Sequence, residues 1–228
     1  MRITCDIFRF DPDSGTKARY DTYALDAEPT DTVLDALIKI YRNADPSLSF
    51  RFACGVVKCG ECAIMVNETR CLGCKKLVEP EMKIDPLPNL PLIKDLVIDR
   101  RKVFEQMLKP LPGELGLLQI RKRWQSIEPD TANRFVQLTK CFECLMCQSA
   151  CPVFANMPEK FFGPLGLLWL AQMSLDPKSE AAVRQHAGSA LEMCTRCGIC
   201  SDVCPCSEKI LDLALATLEK GGSNHENK

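Results

Sequence analysis

The residues able to do chemistry in this 228-residue chain are its fifteen cysteines, and they are grouped. Six lie between Cys5 and Cys74, none from there to Cys141, and nine between Cys141 and Cys206. Cys54, Cys59 and Cys62 stand as C-x4-C-x2-C, with Cys71 and Cys74 following. That is the plant-type spacing for a [2Fe–2S] cluster. A two-iron rhomb needs two thiolates on each iron, and a tight loop can offer three from one short segment. Gly55 and Gly60 let that backbone approach the sulfides. The fourth thiolate must arrive on a separate strand, after Ala63 to Asn67, where Ile64 and Val66 favour a strand and Asn67-Glu68 a turn. Spacing alone leaves Cys71 and Cys74 both open for that role.

The second group is a duplication. Cys141, Cys144, Cys147 and Cys151-Pro152 read C-x2-C-x2-C-x3-C-P, and Cys194, Cys197, Cys200 and Cys204-Pro205 repeat it. In two-cluster ferredoxins the first three cysteines of such a run hold one cubane and the fourth ligates the other. The two runs are therefore expected to fold against each other. This logic gives one [4Fe–4S] cluster to Cys141, Cys144, Cys147 and Cys204, and a second to Cys194, Cys197, Cys200 and Cys151. Structural zinc in four-cysteine sites is the competing reading, but it would leave Cys147, Cys151, Cys200 and Cys204-Pro205 without a role. A Rieske centre needs two histidines beside the cysteines, and none are there. Of the cysteines left over, Cys5 alternates with Ile3 and Ile7 as a small buried hydrophobe, and Cys206 reads as packing.

Composition fits this reading and excludes others. A formal net charge of −1 gives no electrostatic reason for nucleic acid or an anionic membrane surface. The Arg121-Lys122-Arg123 stretch beside Trp124 reads as a solvated face. The odd cysteine count and a charged, alternating start at Met1 to Phe10 argue against a secreted disulfide framework. The only histidines are His186 and His225, in undistinguished surroundings, so no acid, base or nucleophile is expected in this chain. The apolar run Phe161 to Leu175 is broken by Gly163, Pro164 and Gly166 and is too short to span a bilayer.

The elements that must position the cysteines can also be read. Ile3 to Phe10 alternates as a strand, Asp11 to Gly15 turns, and Arg19 to Leu25 returns. Val33, Leu34, Leu37, Ile38 and Tyr41 recur at helical spacing after Thr30 or Asp31 as N-cap. Short strands around the cluster loop end near Met82 to Leu87. Helices are expected at Asp95 to Lys109, Pro129 to Lys140, Leu165 to Met173, Ser179 to Met193 and Glu208 to Lys220. The fold class is α+β, a small strand-rich domain over residues 1–100 followed by an all-α domain over 101–220, with a disordered tail at 221–228.

The order hairpin, helix, C-x4-C-x2-C, Pro86-Leu87-Pro88-Asn89-Leu90-Pro91-Leu92-Ile93-Lys94-Asp95-Leu96-Val97, then two C-P runs, resembles the iron–sulfur subunit of succinate dehydrogenase and fumarate reductase. Pro158 to Leu168 resembles that family too, and the likeness covers nearly the whole chain. The resemblance implies a β-grasp [2Fe–2S] ferredoxin domain followed by an α-helical two-cluster ferredoxin domain. It implies electron transfer between an FAD-containing dehydrogenase or reductase subunit and a membrane-anchor or membrane-associated quinone-reactive subunit. The start of the chain has no transit-like character, which gives the expectation of a prokaryotic location on the cytoplasmic side of the membrane, peripheral within a complex. Leu72-Gly73-Cys74 matches the family's pattern, which makes Cys74 the fourth [2Fe–2S] ligand and Cys71 an extra.

Two departures from the family pattern carry expectations of their own. Usual members end in a [3Fe–4S] cluster because the position of Cys197 is not cysteine; here Cys197 is expected to complete a second [4Fe–4S] cluster with Cys151, Cys194 and Cys200, at lower potential. Members that reduce quinone beside this subunit carry tryptophan shortly after the first C-P and histidine after the first cysteine of the second run. This chain has Ala155, Asn156 and Thr195 there, so the acceptor is expected to be a differently built membrane partner. The same wire serving another flavoprotein, or a thiol/disulfide-linked reductase of the heterodisulfide type, is the alternative.

Overall fold

The computed structural model describes residues 1–15, 17–108, 128–175, 180–206 and 209–222. They fall into two compact units, Met1–Val103 with Phe142–Ser149, and Phe104–Cys141 with Ala150–Lys228. The basic stretch Arg121 to Arg123, Trp124 and His225 lie outside the described residues.

In the first unit, strand β1 (Arg2–Arg9) alternates strictly, so Ile3, Cys5 and Ile7 all point into the core. It pairs antiparallel with β2 (Arg19–Asp26) and parallel with β5 (Glu81–Asp85). A second hairpin, β3 (Ala63–Val66) and β4 (Thr69–Leu72), turns through Asn67 and Glu68, both at positive φ, and joins β5 to give the order β2-β1-β5-β3-β4. Helix α1 (Val33–Asn43) lays Val33, Ala36, Leu37 and Ile40 over this sheet, against Ile3, Ile7, Ile64, Val66 and Ile84. This is the β-grasp arrangement of a mixed sheet with one covering helix. Burial pushes the Cys5 thiol up to about 11, the behaviour of a small core hydrophobe.

Three local expectations are corrected. The N-cap of α1 is Thr32, whose hydroxyl accepts from the Asp35 N–H while the Asp35 carboxylate accepts from the Thr32 N–H, a reciprocal pair that neither Thr30 nor Asp31 can make. Tyr41 is exposed, set edge-on to Phe50, because the apolar stripe ends at Ile40. The segment from Asp95 does not start a helix. It turns at positive φ between β6 (Leu92–Lys94) and β7 (Val97–Ile98), and helix α2 (Arg100–Leu108) follows.

The reason is a buried polar group. The Asp95 carboxylate accepts from the Phe10 N–H (2.9 Å), the Ser49 N–H (2.9 Å) and Arg9 Nε (3.2 Å), tying three segments together. Arg9 also contacts Asp45, Asp21 (3.3 Å), Tyr23 (2.6 Å) and Ser47 (2.8 Å), with its side chain only 7% exposed. A guanidinium buried among three carboxylates is stabilising only while every partner is present.

The second unit is helical. Helix α3 (Pro129–Leu138) precedes the short α4 (Met146–Ala150), whose residues up to Ser149 pack with the first unit, and α5 (Pro152–Asn156) follows. Helix α6 (Gly163–Ser174) is apolar nearly all round and buries Leu165, Leu167, Leu168, Leu170 and Ala171. It packs against α7 (Glu180–Met193) and α9 (Ile210–Gly222), with the four-residue α8 (Ile199–Asp202) between them in sequence. At twelve residues α6 is a core helix, and among the described residues no helix is long and apolar enough to cross a membrane.

Replacing Arg9 by Met is expected to destabilise the protein by about 3–5 kcal/mol, read as a lower midpoint in anaerobic urea unfolding, because it strands the buried Asp95 carboxylate. Burial alone would raise the Asp45 carboxyl, but hydrogen bonds from Ser47, Tyr23 and Arg9 outweigh it and hold it below its ordinary 3.8. Its contribution to stability is therefore complete above that pH and lost as the pH falls below it. An Asp45→Asn variant should show a flatter acid limb in the same measurement.

Candidate metal centres

The loop from Cys54 to Cys62 turns repeatedly through left-handed backbone, at Gly55 (φ 67°), Val57 (φ 58°) and Gly60 (φ 69°). Successive N–H groups are thereby aimed inward, forming an anion-binding concavity. The N–H groups of Val56, Lys58 and Cys59 point at Cys54 Sγ at 3.4, 3.3 and 3.3 Å. Those of Val56 and Lys58 are the main cause that brings the Cys54 thiol down to about 7. The Cys54 N–H in turn points at Cys59 Sγ, 3.4 Å away.

The other half of the site is closed by strand β4. Gly73 follows it, and its N–H donates to the Cys62 carbonyl at 2.8 Å. Cys74 Sγ then lies 3.3 Å from Cys62 Sγ, and burial is the main cause of the rise of the Cys62 thiol to about 12. The four sulfurs thus form two pairs, Cys54 with Cys59 and Cys62 with Cys74. Cys71 goes elsewhere. Opposite Ile64 in the ladder, it packs against the hydrophobic core, and burial raises its thiol to about 11.

In the second unit, Cys151, Cys194, Cys197 and Cys200 line one cavity of about 280 Å³. Cys151 caps α5, its Sγ 3.5 Å from the Phe154 N–H. Cys194 and Cys197 come from the loop between α7 and α8, which turns at positive φ through Arg196 and Gly198, and Cys200 from α8 itself. Phe161, Leu167 and Leu211 supply apolar wall; Thr195, Arg196, Asp212 and Glu219 supply polar wall, with Arg196 and Glu219 ion-paired. Burial raises the Cys151 and Cys200 thiols, the latter to about 11, and the charges of the neighbouring cysteines add to it. Cys197 alone of the four is exposed.

The remaining set is divided between units. Cys144 and Cys147 belong to the first, Cys141 and Cys204 to the second. The Cys204 thiol is brought down to about 7, chiefly by a hydrogen bond from the side chain of Cys206, whose own Sγ sits 3.5 Å from the Lys140 carbonyl. The sequence shows Cys206 two residues after Cys204 but leaves its role open, since the contact forms only in the folded chain. His186 lies on α7 and is partly exposed.

Residues 4–105 match the family described as 2Fe-2S iron-sulfur cluster binding domain, and residues 137–209 the 4Fe-4S dicluster domain. The chain is 33% identical over 208 residues to a fumarate reductase (CoM/CoB) subunit of Methanothermobacter marburgensis, covering 89% of this chain but only 41% of that longer protein. It is 30% identical to the fumarate reductase iron-sulfur subunit of Escherichia coli O6:H1, over 89% of this chain and 86% of that one. It is 35% identical to the succinate dehydrogenase iron-sulfur subunit of Paracoccus denitrificans, over 77% and 70%. The fold matches a chain of the Mycobacterium smegmatis Sdh1 complex in the apo form, with a TM-score of 0.80, 23% identity and coverage of 99% and 97%.

Cys74→Ala is expected to abolish the rhombic signal of a reduced two-iron cluster and to remove about two irons per chain. Cys71→Ala should leave both unchanged while lowering stability modestly through lost core packing. Electron paramagnetic resonance with iron analysis distinguishes them, and a reversed result would exchange the two assignments.

Proposed function

The chain belongs to the iron–sulfur subunit family of succinate dehydrogenase and fumarate reductase, and on that premise we propose that it is the electron-transfer subunit of such a complex. It carries electrons between an FAD-containing catalytic subunit and a membrane-associated partner on the cytoplasmic side of the membrane. The observation that carries this reading is the pairing of Cys54 with Cys59 and Cys62 with Cys74 in a loop of inward-facing N–H groups. A two-iron rhomb asks for that donor set. Cys141, Cys144, Cys147 and Cys204 would hold one four-iron cluster, and Cys151, Cys194, Cys197 and Cys200 the other.

Bound clusters supply one-electron steps, so hydride chemistry is left to the flavin of the partner. The chain's residues set the terms on which electrons stop. N–H groups aimed at Cys54 Sγ stabilise negative charge there and favour the reduced state. Phe161, Leu167 and Leu211 keep water from the cavity of the last cluster and act in the opposite sense. With Cys197 in that cavity, all four corners of a cubane can be held by thiolate. Thr195 stands in the same wall, and the aromatic and histidine contacts usual for a quinone beside this subunit are replaced by Ala155, Asn156 and Thr195. Electrons therefore leave to a membrane partner that binds its acceptor within its own structure.

A second reading has a specific observation behind it. The match to a CoM/CoB fumarate reductase extends over 89% of this chain, which favours a thiol-linked reductase as the alternative electron partner.

Anaerobically purified protein is expected to contain about ten irons per chain, from one two-iron and two four-iron clusters, with matching sulfide. The oxidised protein should give no [3Fe–4S] resonance, and Cys197→Ala should gain one while losing about one iron. About nine irons with that signal in the wild type would make Cys197 a bystander. Co-purification with a flavin subunit that oxidises succinate or reduces fumarate, against one that responds to thiols, separates the two readings.

A further inference from the structure

The segment Phe142–Ser149 carries Cys144 and Cys147 yet packs with the residues of the two-iron unit. Its seating is specific. Gly60, between the ligands Cys59 and Cys62, lies so close to it that a Cβ there would stand 2.8 Å from the Phe142 carbonyl, 2.8 Å from Cys144 Cβ and 2.9 Å from Cys144 Cα. Two of those three atoms are backbone and cannot swing aside.

Three side chains hold the segment down. Arg100 reaches from Glu61, the next residue of the cluster loop (Nε 3.5 Å from its carboxylate), to the Glu143 carbonyl, which accepts from its second guanidinium nitrogen at 2.9 Å. Arg70 donates to the Ser149 hydroxyl and carbonyl, both at 3.1 Å. Asn89 donates to the same carbonyl at 3.1 Å, and the Ser149 hydroxyl donates to the Pro88 carbonyl at 2.8 Å. The segment is therefore anchored at both ends and pressed to van der Waals contact in the middle, at the point where one ligand loop meets the other.

We infer that Gly60 is a positioning residue for electron transfer: its missing side chain lets the two-iron loop touch the backbone of Cys144, and Arg100 locks that contact. The inference rests on the cluster ligation proposed above. Electron tunnelling falls steeply with distance, so a direct backbone contact between two ligand loops favours transfer between the clusters they hold. Gly60→Ala must push the loops apart, whereas Gly15→Ala, in the turn after β1 and outside the cluster loop, places a side chain at a similar left-handed φ with no protein atom within 4 Å.

The test is power saturation of the two-iron resonance in the fully reduced complex, where a nearby paramagnet speeds spin relaxation. Iron and sulfide content are measured on every sample. The expected result is a severalfold lower half-saturation power in Gly60→Ala at unchanged iron content, a smaller fall in Arg100→Leu, and the wild-type value in Gly15→Ala. Should Gly60→Ala fail to load iron, Arg100→Leu, which introduces no strain into the loop, carries the comparison alone. Unchanged saturation in the loaded variants would overturn the inference, as would a wild-type two-iron signal that saturates like an isolated cluster. Iron and sulfide values inconsistent with three clusters would instead overturn the ligation beneath it.

Discussion

Sulfur must reach each metal centre from segments far apart in the chain, and that constraint organises both units. A cluster loop can supply three thiolates from a few residues, but the remaining one has to be delivered by another element. In the first unit, β4 and the glycine after it deliver Cys74 to Cys62. In the second, the start of α5 delivers Cys151 to the cavity lined by Cys194, Cys197 and Cys200. Local bonds fix each delivery at its end, Gly73 N–H on the Cys62 carbonyl and Phe154 N–H on Cys151 Sγ, and the hydrophobic core beneath each site holds the elements that bring them there.

The surroundings of the thiols differ in a way that suits anionic cofactors. Where the backbone turns its N–H groups inward, as around Cys54, the thiol is brought toward the thiolate at neutral pH. Where burial dominates, as at Cys62 and Cys200, the free thiol is held protonated, and only metal binding would repay its deprotonation. The sites are thus folded receptacles whose electrostatic cost bound iron would offset. Cys71 and Cys5 feel the same burial and remain part of the core.

A different kind of fixed point supports the two-iron loop from below. Arg9 and Asp95 join the end of β1 to the turn between β6 and β7 and to the backbone at Ser49, just ahead of the cluster loop. Polar groups buried this deeply specify one arrangement because any other leaves a charge without a partner. The helix that periodicity predicted from Asp95 gives way to this requirement and starts at Arg100 instead. That shift puts Arg100 within reach of both Glu61 and Glu143.

Much of this protein was legible in its sequence. Cysteine spacing specified the cluster types, because thiolate geometry around iron translates directly into residue counts. Alternation in β1 and helical periodicity in α1 specified the elements, because one face of each had to be buried. Spacing could not choose between Cys71 and Cys74, two cysteines of one short stretch. The choice depends on which sulfur β4 turns toward the core and which lies beyond the strand's end, a matter of register against Ile64. The cap at Thr32, the turn at Asp95, the hydrogen bond from Cys206 to Cys204 and the seat of Gly60 on Cys144 were also decided by tertiary structure. Each joins groups whose contact exists only once the chain has folded, or whose partner is chosen by competition among near-equivalent neighbours. Local spacing records what a residue can do; the packing of remote segments decides which of the candidates does it.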